Sequence, residues 1–157
     1  MRLIFKILLA CTLIFIVTVI GWLLKRNVKI DVPICDTNSE YSIEYLTSKE
    51  NVLACLAMGT TPKFYVSKKQ AEKMGWRQND GNICEVLPNN AIGGNIYHNN
   101  DGQLPPDNYI EFDLNHSCQK WSQIKYRGKD RLIVSKKDKT QQYYTNDHYH
   151  TFQKILI

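Results

Sequence analysis

The longest charge-free stretch of the chain runs from Ile7 to Leu24, eighteen residues bounded by Arg2 and Lys6 before it and by Lys25 and Arg26 after it. At about 1.5 Å of rise per residue such a helix would reach roughly 27 Å, close to the thickness of a bilayer's hydrocarbon core, so a transmembrane or signal helix is predicted. Val19, Ile20 and Gly21 offer small-residue positions to a signal peptidase, but the run is long for a signal and lacks Ala-x-Ala. Retained anchor and removed signal peptide both stay open for residues 1–24. Residues 25–46 show no sustained period and contain Pro33; they read as a linker, tied down near Cys35.

The periodic pattern starts at residue 47. Thr47 to Met58 places Val52, Leu53, Cys55 and Leu56 on one stripe and stops at Gly59, which predicts a helix. Ser67 and Gln70 form a capping box ahead of a short helix through Met74, with Gly75 just past its end. After Trp76 the pattern changes. Ala91–Tyr97, Tyr109–Leu114, Arg131–Ser135, Gln141–Thr145 and Thr151–Ile155 are rich in β-branched and aromatic residues and are separated by Asn, Asp, Gly and Pro. Helices first and strands afterwards predict an α+β domain over 47–157, with N-terminal helices packed on one face of a single antiparallel β-sheet. Within YIEFDL, alternation sets Tyr109, Glu111 and Asp113 on one face and Ile110, Phe112 and Leu114 on the other.

Composition changes this picture little: 157 residues with 43% apolar and 22% charged fit one folded domain and exclude disordered or repeat architectures. Lys and Arg exceed Asp and Glu by 20 − 15 = 5, a mild basic balance that suits a polyanionic partner without demanding one. The cysteines matter more. A chain led out of the cytoplasm meets oxidising conditions, so Cys35, Cys55, Cys84 and Cys118 are expected in disulfides, and three pairings are open. No C-x-x-C pair or finger-spaced His accompanies them, which argues against zinc. Walker, H-E-x-x-H and G-x-S-x-G motifs are absent from the sequence, removing the common nucleotide-hydrolase, metalloprotease and α/β-hydrolase readings.

Six ordered blocks carry a more specific signal: Gly75-Trp76, Gly81-Asn82, IGGNIYHNNDGQLP from Ile92, EFDLN from Glu111, YRGKDRLIVSKKD from Tyr126 and TNDHYHTFQKI from Thr145. Over roughly residues 47–157 the chain resembles the barnase-like microbial ribonucleases. The resemblance implies an exported endoribonuclease with guanine preference that uses neither metal nor cofactor, acts as a monomer on RNA, and has a barstar-like protein inhibitor as a possible partner. Membrane contact would come only through residues 7–24, if they are kept.

Cleavage of RNA through its own 2′-hydroxyl needs a base, an acid and cations around the phosphorane. By the resemblance Glu111 is the general base, His148 the general acid, and Lys68, Arg127 and Arg131 hold the phosphate. An Arg fork suits two phosphate oxygens, and an imidazole titrates near neutrality. Asp113 is expected beneath the site, orienting the arginines, with Asp130 and Asp138 as turn and capping acids. Tyr97, His98, Asn99, Asn100 and Asp101 match the base-recognition loop, in which Asp101 supplies the carboxylate, and Tyr149 is expected to support the base by stacking. Relatives carry Glu where this chain has Asp101 and Arg where it has Asn100, so weaker RNA binding and a looser guanine preference are expected. The fold implied by the resemblance brings Cys84 near Cys118, and on that basis Cys84–Cys118 and Cys35–Cys55 are the expected bridges. The rival readings are a broader-specificity ribonuclease of the same fold and a catalytically silent module anchored to the membrane that binds RNA or an inhibitor.

Overall fold

The computed structural model describes residues 32–37, 40–118 and 127–156. The apolar segment 7–24 lies outside them; among the described residues no helix is long and apolar enough to cross a membrane. Pro33–Ile157 is a unit of its own. Among the described residues its helices are α1 (Ile43–Leu46), α2 (Lys49–Ala57), α3 (Lys68–Lys73) and α4 (Ile83–Val86), with a 3-10 turn at Gln78–Asp80. Six strands follow or intervene: β1 (Tyr65–Val66), β2 (Ala91–Tyr97), β3 (Tyr109–Asp113), β4 (Arg131–Ser135), β5 (Gln142–Thr145) and β6 (Gln153–Ile155), paired in that order in one sheet.

The α+β class and all five predicted strands are present, but two expectations need correction. The sheet is not wholly antiparallel, because the two-residue β1 pairs parallel with β2. Nor do all helices share a face. Ile43, Leu46, Val52 and Leu56 of α1 and α2 pack on Phe112, Leu114, Leu132 and Val134, whereas Ala71, Trp76 and Ile83, from α3, α4 and the loop between them, gather around Ile92. Ala91 belongs to the first cluster, and consecutive strand residues point to opposite faces, so α3 and α4 lie across β2 from α1 and α2. Gly93 admits the crowding at this edge: a Cβ there would stand 2.5 Å from the Tyr65 ring and 2.7 Å from Phe112.

The stretch read as a linker is also partly core. Ser42 caps α1, and Ile43 and Leu46 are buried. Buried Asn51 of α2 receives the Ile34 N–H on its Oδ1 at 2.8 Å and donates to the Ile34 and Leu46 carbonyls. Four helical residues are too few to show a period, which hid α1 and α4 in the sequence. The α3 capping box is formed as expected, with the side chains of Ser67 and Gln70 each bonding the other's backbone N–H.

Both expected disulfides are present. Cys35–Cys55 has a Cα–Cα distance of 5.8 Å and Cys84–Cys118 one of 5.4 Å. Two disulfides fit a protein that works outside the cytoplasm.

Candidate active site

Strand register builds the site. On the sheet face opposite α1 and α2, Asn95 of β2 pairs with Glu111 of β3 and Glu111 with Ile133 of β4, while Asp113 pairs with Arg131 and Arg131 with Thr145 of β5. The alternation read in YIEFDL is real, yet both of its faces are covered: Glu111 is 4% exposed and Asp113 is buried. The polar face is covered by α3, by the chain around Arg127 and by the β5–β6 loop.

Each cover brings a functional group. The Lys68 backbone N–H donates to Asn95 Oδ1 at 2.9 Å, fixing the start of α3 over β2, and Lys68 Nζ then reaches Glu111 Oε1 at 2.6 Å. Tyr149 donates its phenol hydrogen to Glu111 Oε2 at 2.6 Å and accepts from Arg131 Nε at 3.2 Å. Arg131 Nε lies 2.9 Å from Asp113 Oδ1, and Arg127 Nε lies 3.0 Å from Asp113 Oδ2. One buried carboxylate thus aligns both arginines. Burial pushes the Asp113 carboxyl above its ordinary value, and the two guanidinium groups oppose that shift. Arg127 also packs over the Trp76 ring at 5.6 Å, and Trp76 is held in place because Asn82 Oδ1 accepts from the Arg77 N–H while its Nδ2 donates to the Gly75 carbonyl. The Gly-Trp and Gly-Asn blocks of the sequence therefore close one loop beside the site.

His148 stands on the β5–β6 loop. It and Tyr149 have positive φ, 62° and 74°, which L side chains adopt at a cost. Asp147 holds the loop in that shape: its Oδ1 accepts from the Thr145 hydroxyl and from the His150 and Thr151 N–H groups, and its Oδ2 from the Thr151 hydroxyl. These bonds, led by those of Thr151, keep the Asp147 carboxyl well below the usual carboxylate range. His148 and the exposed His150 line a cleft of about 300 Å³ with Arg127, Arg131, Trp76 and Ile83. Burial, then Arg131 and Arg127, draw the His148 imidazole below its ordinary value, with Glu111 acting the other way. Glu111 does not line this cleft; the Tyr149 hydroxyl joins it to Arg131, which does.

Of the expected residues, Lys68 and Glu111 form one ion pair, Arg127, Arg131 and His148 line one cleft, and the Tyr149 hydroxyl links the two groups, a set of contacts for Tyr149 different from the one expected. The Tyr149 ring is stacked on Tyr97 (centroids 5.3 Å apart, planes at 29°), and its hydroxyl is committed to Glu111 and Arg131. In the loop after β2, Asn99 braces the turn by donating to the Leu104 carbonyl and accepting its N–H, while Gly102 supplies a φ of 68°. His98, Asn100 and Asp101 are exposed. Sequence reasoning overlooked Asp147 and Gln103. Asp147 had a signal, a carboxylate between Thr145 and Thr151 in a turn; Gln103 had none beyond its place two residues after Asp101.

A carboxylate on β3, an imidazole on the β5–β6 loop and cations aligned by Asp113 are groups of the kind that can accept a proton, donate one and attract an anion. A family model described as ribonuclease matches residues 48–156. A ribonuclease of Heyndrickxia coagulans is 36% identical over 97 residues, 60% of this chain and 82% of that protein. Ribonucleases of Bacillus intermedius and Bacillus pumilus show the same 36% identity over 97 residues, and the match spans 55% of the length of each. Among solved structures, ribonuclease Sa2 with guanosine-2'-cyclophosphate aligns over 76% of this chain and 90% of that one, at 19% identity and a TM-score of 0.37. The chain belongs to the ribonuclease family.

Proposed function

We propose that the protein is an exported endoribonuclease that cuts single-stranded RNA, preferably after guanine, by transesterification to a 2′,3′-cyclic phosphate and subsequent hydrolysis. Glu111 takes the 2′-hydroxyl proton, His148 protonates the departing 5′-oxygen, and the two exchange roles when water opens the cyclic phosphate. Lys68, Arg127 and Arg131 hold the phosphate and meet the charge that builds on it. DNA lacks the nucleophile and resists. The observation that carries this reading is the fixed placement of Glu111, held by Lys68 and Tyr149 on its two oxygens, beside arginines aligned by Asp113. Each carboxylate oxygen retains a lone pair for the incoming proton.

Base choice falls to the loop Tyr97, His98, Asn99, Asn100 and Asp101, with Asp101 accepting from the guanine edge. A broader base preference has its own support, because Asp101 is short and exposed and Asn100 adds no charge. The test is incubation of the disulfide-bonded protein with RNA in EDTA, followed by mapping of the cut ends. Cleavage with 2′,3′-cyclic termini is expected, and Glu111→Ala and His148→Ala should each slow it by roughly 10² to 10⁴ while circular dichroism stays unchanged. Undiminished rates in both folded variants would overturn the assignment of acid and base, and DNA cleavage would overturn the chemistry.

A further inference from the structure

Gln103 has no part in the proposed chemistry, yet it joins the two loops that do. Its Nε2 donates to Asp101 Oδ2 at 2.5 Å and to the Tyr149 carbonyl at 3.3 Å. Its backbone N–H also faces Asp101 Oδ1 at 3.4 Å. Tyr149 is the residue that stacks on Tyr97 and bonds Glu111, so one side-chain amide reaches from the exposed carboxylate of the β2–β3 loop to the backbone of the loop carrying His148. An exposed Asp has free rotation about two torsions, and ordering it on encounter with a base costs side-chain entropy. A donor anchored on a second loop removes part of that cost in advance.

The chemistry of the donor matters as well. Gln103 is neutral, so it orients Asp101 without cancelling its charge, and a carboxylate keeps about four acceptor sites, of which the amide takes one. What remains suits two parallel N–H donors from one planar edge, the arrangement of a guanine ring N–H and amino group. A lysine at the same place would compete as a point charge for the same carboxylate.

We propose that Gln103 is a positioning residue that determines base specificity: it pins Asp101 toward the Tyr149 loop and so sets the discrimination for guanine. This inference rests on Asp101 reading the base as stated under the proposed function. It makes no claim on the acid–base step itself.

The test measures kcat/KM on dinucleotide substrates with guanine or adenine 5′ to the cut. Gln103→Leu, similar in size but without a donor, is expected to lower the guanine-to-adenine ratio by about three- to tenfold, through KM on the guanine substrate. Gln103→Lys keeps a donor within reach of Asp101, so its ratio should lie above that of Gln103→Leu but below that of the parent, because the ammonium competes for the carboxylate. In an Asp101→Ala background Gln103→Leu should leave the ratio where Asp101→Ala alone put it. An unchanged ratio in Gln103→Leu, or an equal fall with Asp101 already removed, overturns the inference. A wild-type protein that cuts RNA with no base preference also overturns it and leaves the ribonuclease reading standing. A wild-type protein that cuts no RNA sinks that reading instead.

Discussion

Tyr149 donates its phenol hydrogen to the buried carboxylate of Glu111 across 2.6 Å, and it does so from a backbone with φ of 74°. The bond ties the loop that carries His148 to the strand that carries Glu111, so the proposed acid and base are positioned by one another's supports. Burial raises the phenol well above its ordinary titration range, which keeps it a donor throughout neutral pH.

Tyr149→Phe keeps the ring on Tyr97 and removes only the hydroxyl. A hydrogen bond to a charged group is worth about 1.5 to 3 kcal/mol, so kcat is expected to fall about tenfold or more, with KM changing less. Steady-state kinetics on a dinucleotide, with a thermal melt beside them, check this. A fall in stability without a fall in kcat would reduce the bond to a structural role.

The pH dependence follows from His148. As the proposed acid His148 must be protonated, and its imidazole is drawn below the ordinary 6.5 by burial, Arg131, Arg127 and His150, with Glu111 opposing. Protonated enzyme is therefore lost as pH rises through a value below 6.5, and the alkaline limb of kcat/KM should begin its fall there. Arg127→Ala removes one of the cations that depress the imidazole, so the limb should move to higher pH even as the rate drops. A limb that stays put would disconnect His148 from the profile.

Asp113→Asn tests the alignment of the arginines. Arg131 is 1% exposed, and without the carboxylate its buried charge loses its direct ion pair. A loss of about 3 to 5 kcal/mol in unfolding free energy is expected, read from a denaturant titration, together with weaker binding of a substrate phosphate.

The Cys84–Cys118 bridge joins residues at a sequence separation of 34. In the chain-entropy model it contributes about 3 to 4 kcal/mol, so the double variant Cys84→Ala, Cys118→Ala should unfold at distinctly lower denaturant. His116 stands 3.6 Å from the Cys118 sulfur through its Nε2 and is pushed down to about 4 by burial, so it stays neutral through the assay range.

Much of this was readable along the chain. Alternation in YIEFDL assigned Glu111 and Asp113 to one face, because a strand's side chains alternate whatever lies above them. The capping box of Ser67 and Gln70 marked the start of the helix that carries Lys68, a local hydrogen-bond pattern independent of the rest of the fold. The ordered blocks from Gly75 to Ile155 carried the family. What local pattern does not contain is register between distant strands. That Asp113 faces Arg131, that Tyr149 reaches Glu111 across 38 residues, and that Gln103 meets the Tyr149 carbonyl across 46 are consequences of pairing and loop closure. The parallel β1 and the burial of Ile43 and Leu46 likewise depended on packing, since two or four residues hold too little period to announce themselves. Alternation and the ordered blocks thus carried the strand faces and the family, whereas which of these residues touch followed from folding, because contact between remote segments is set by the free energy of the whole packed sheet.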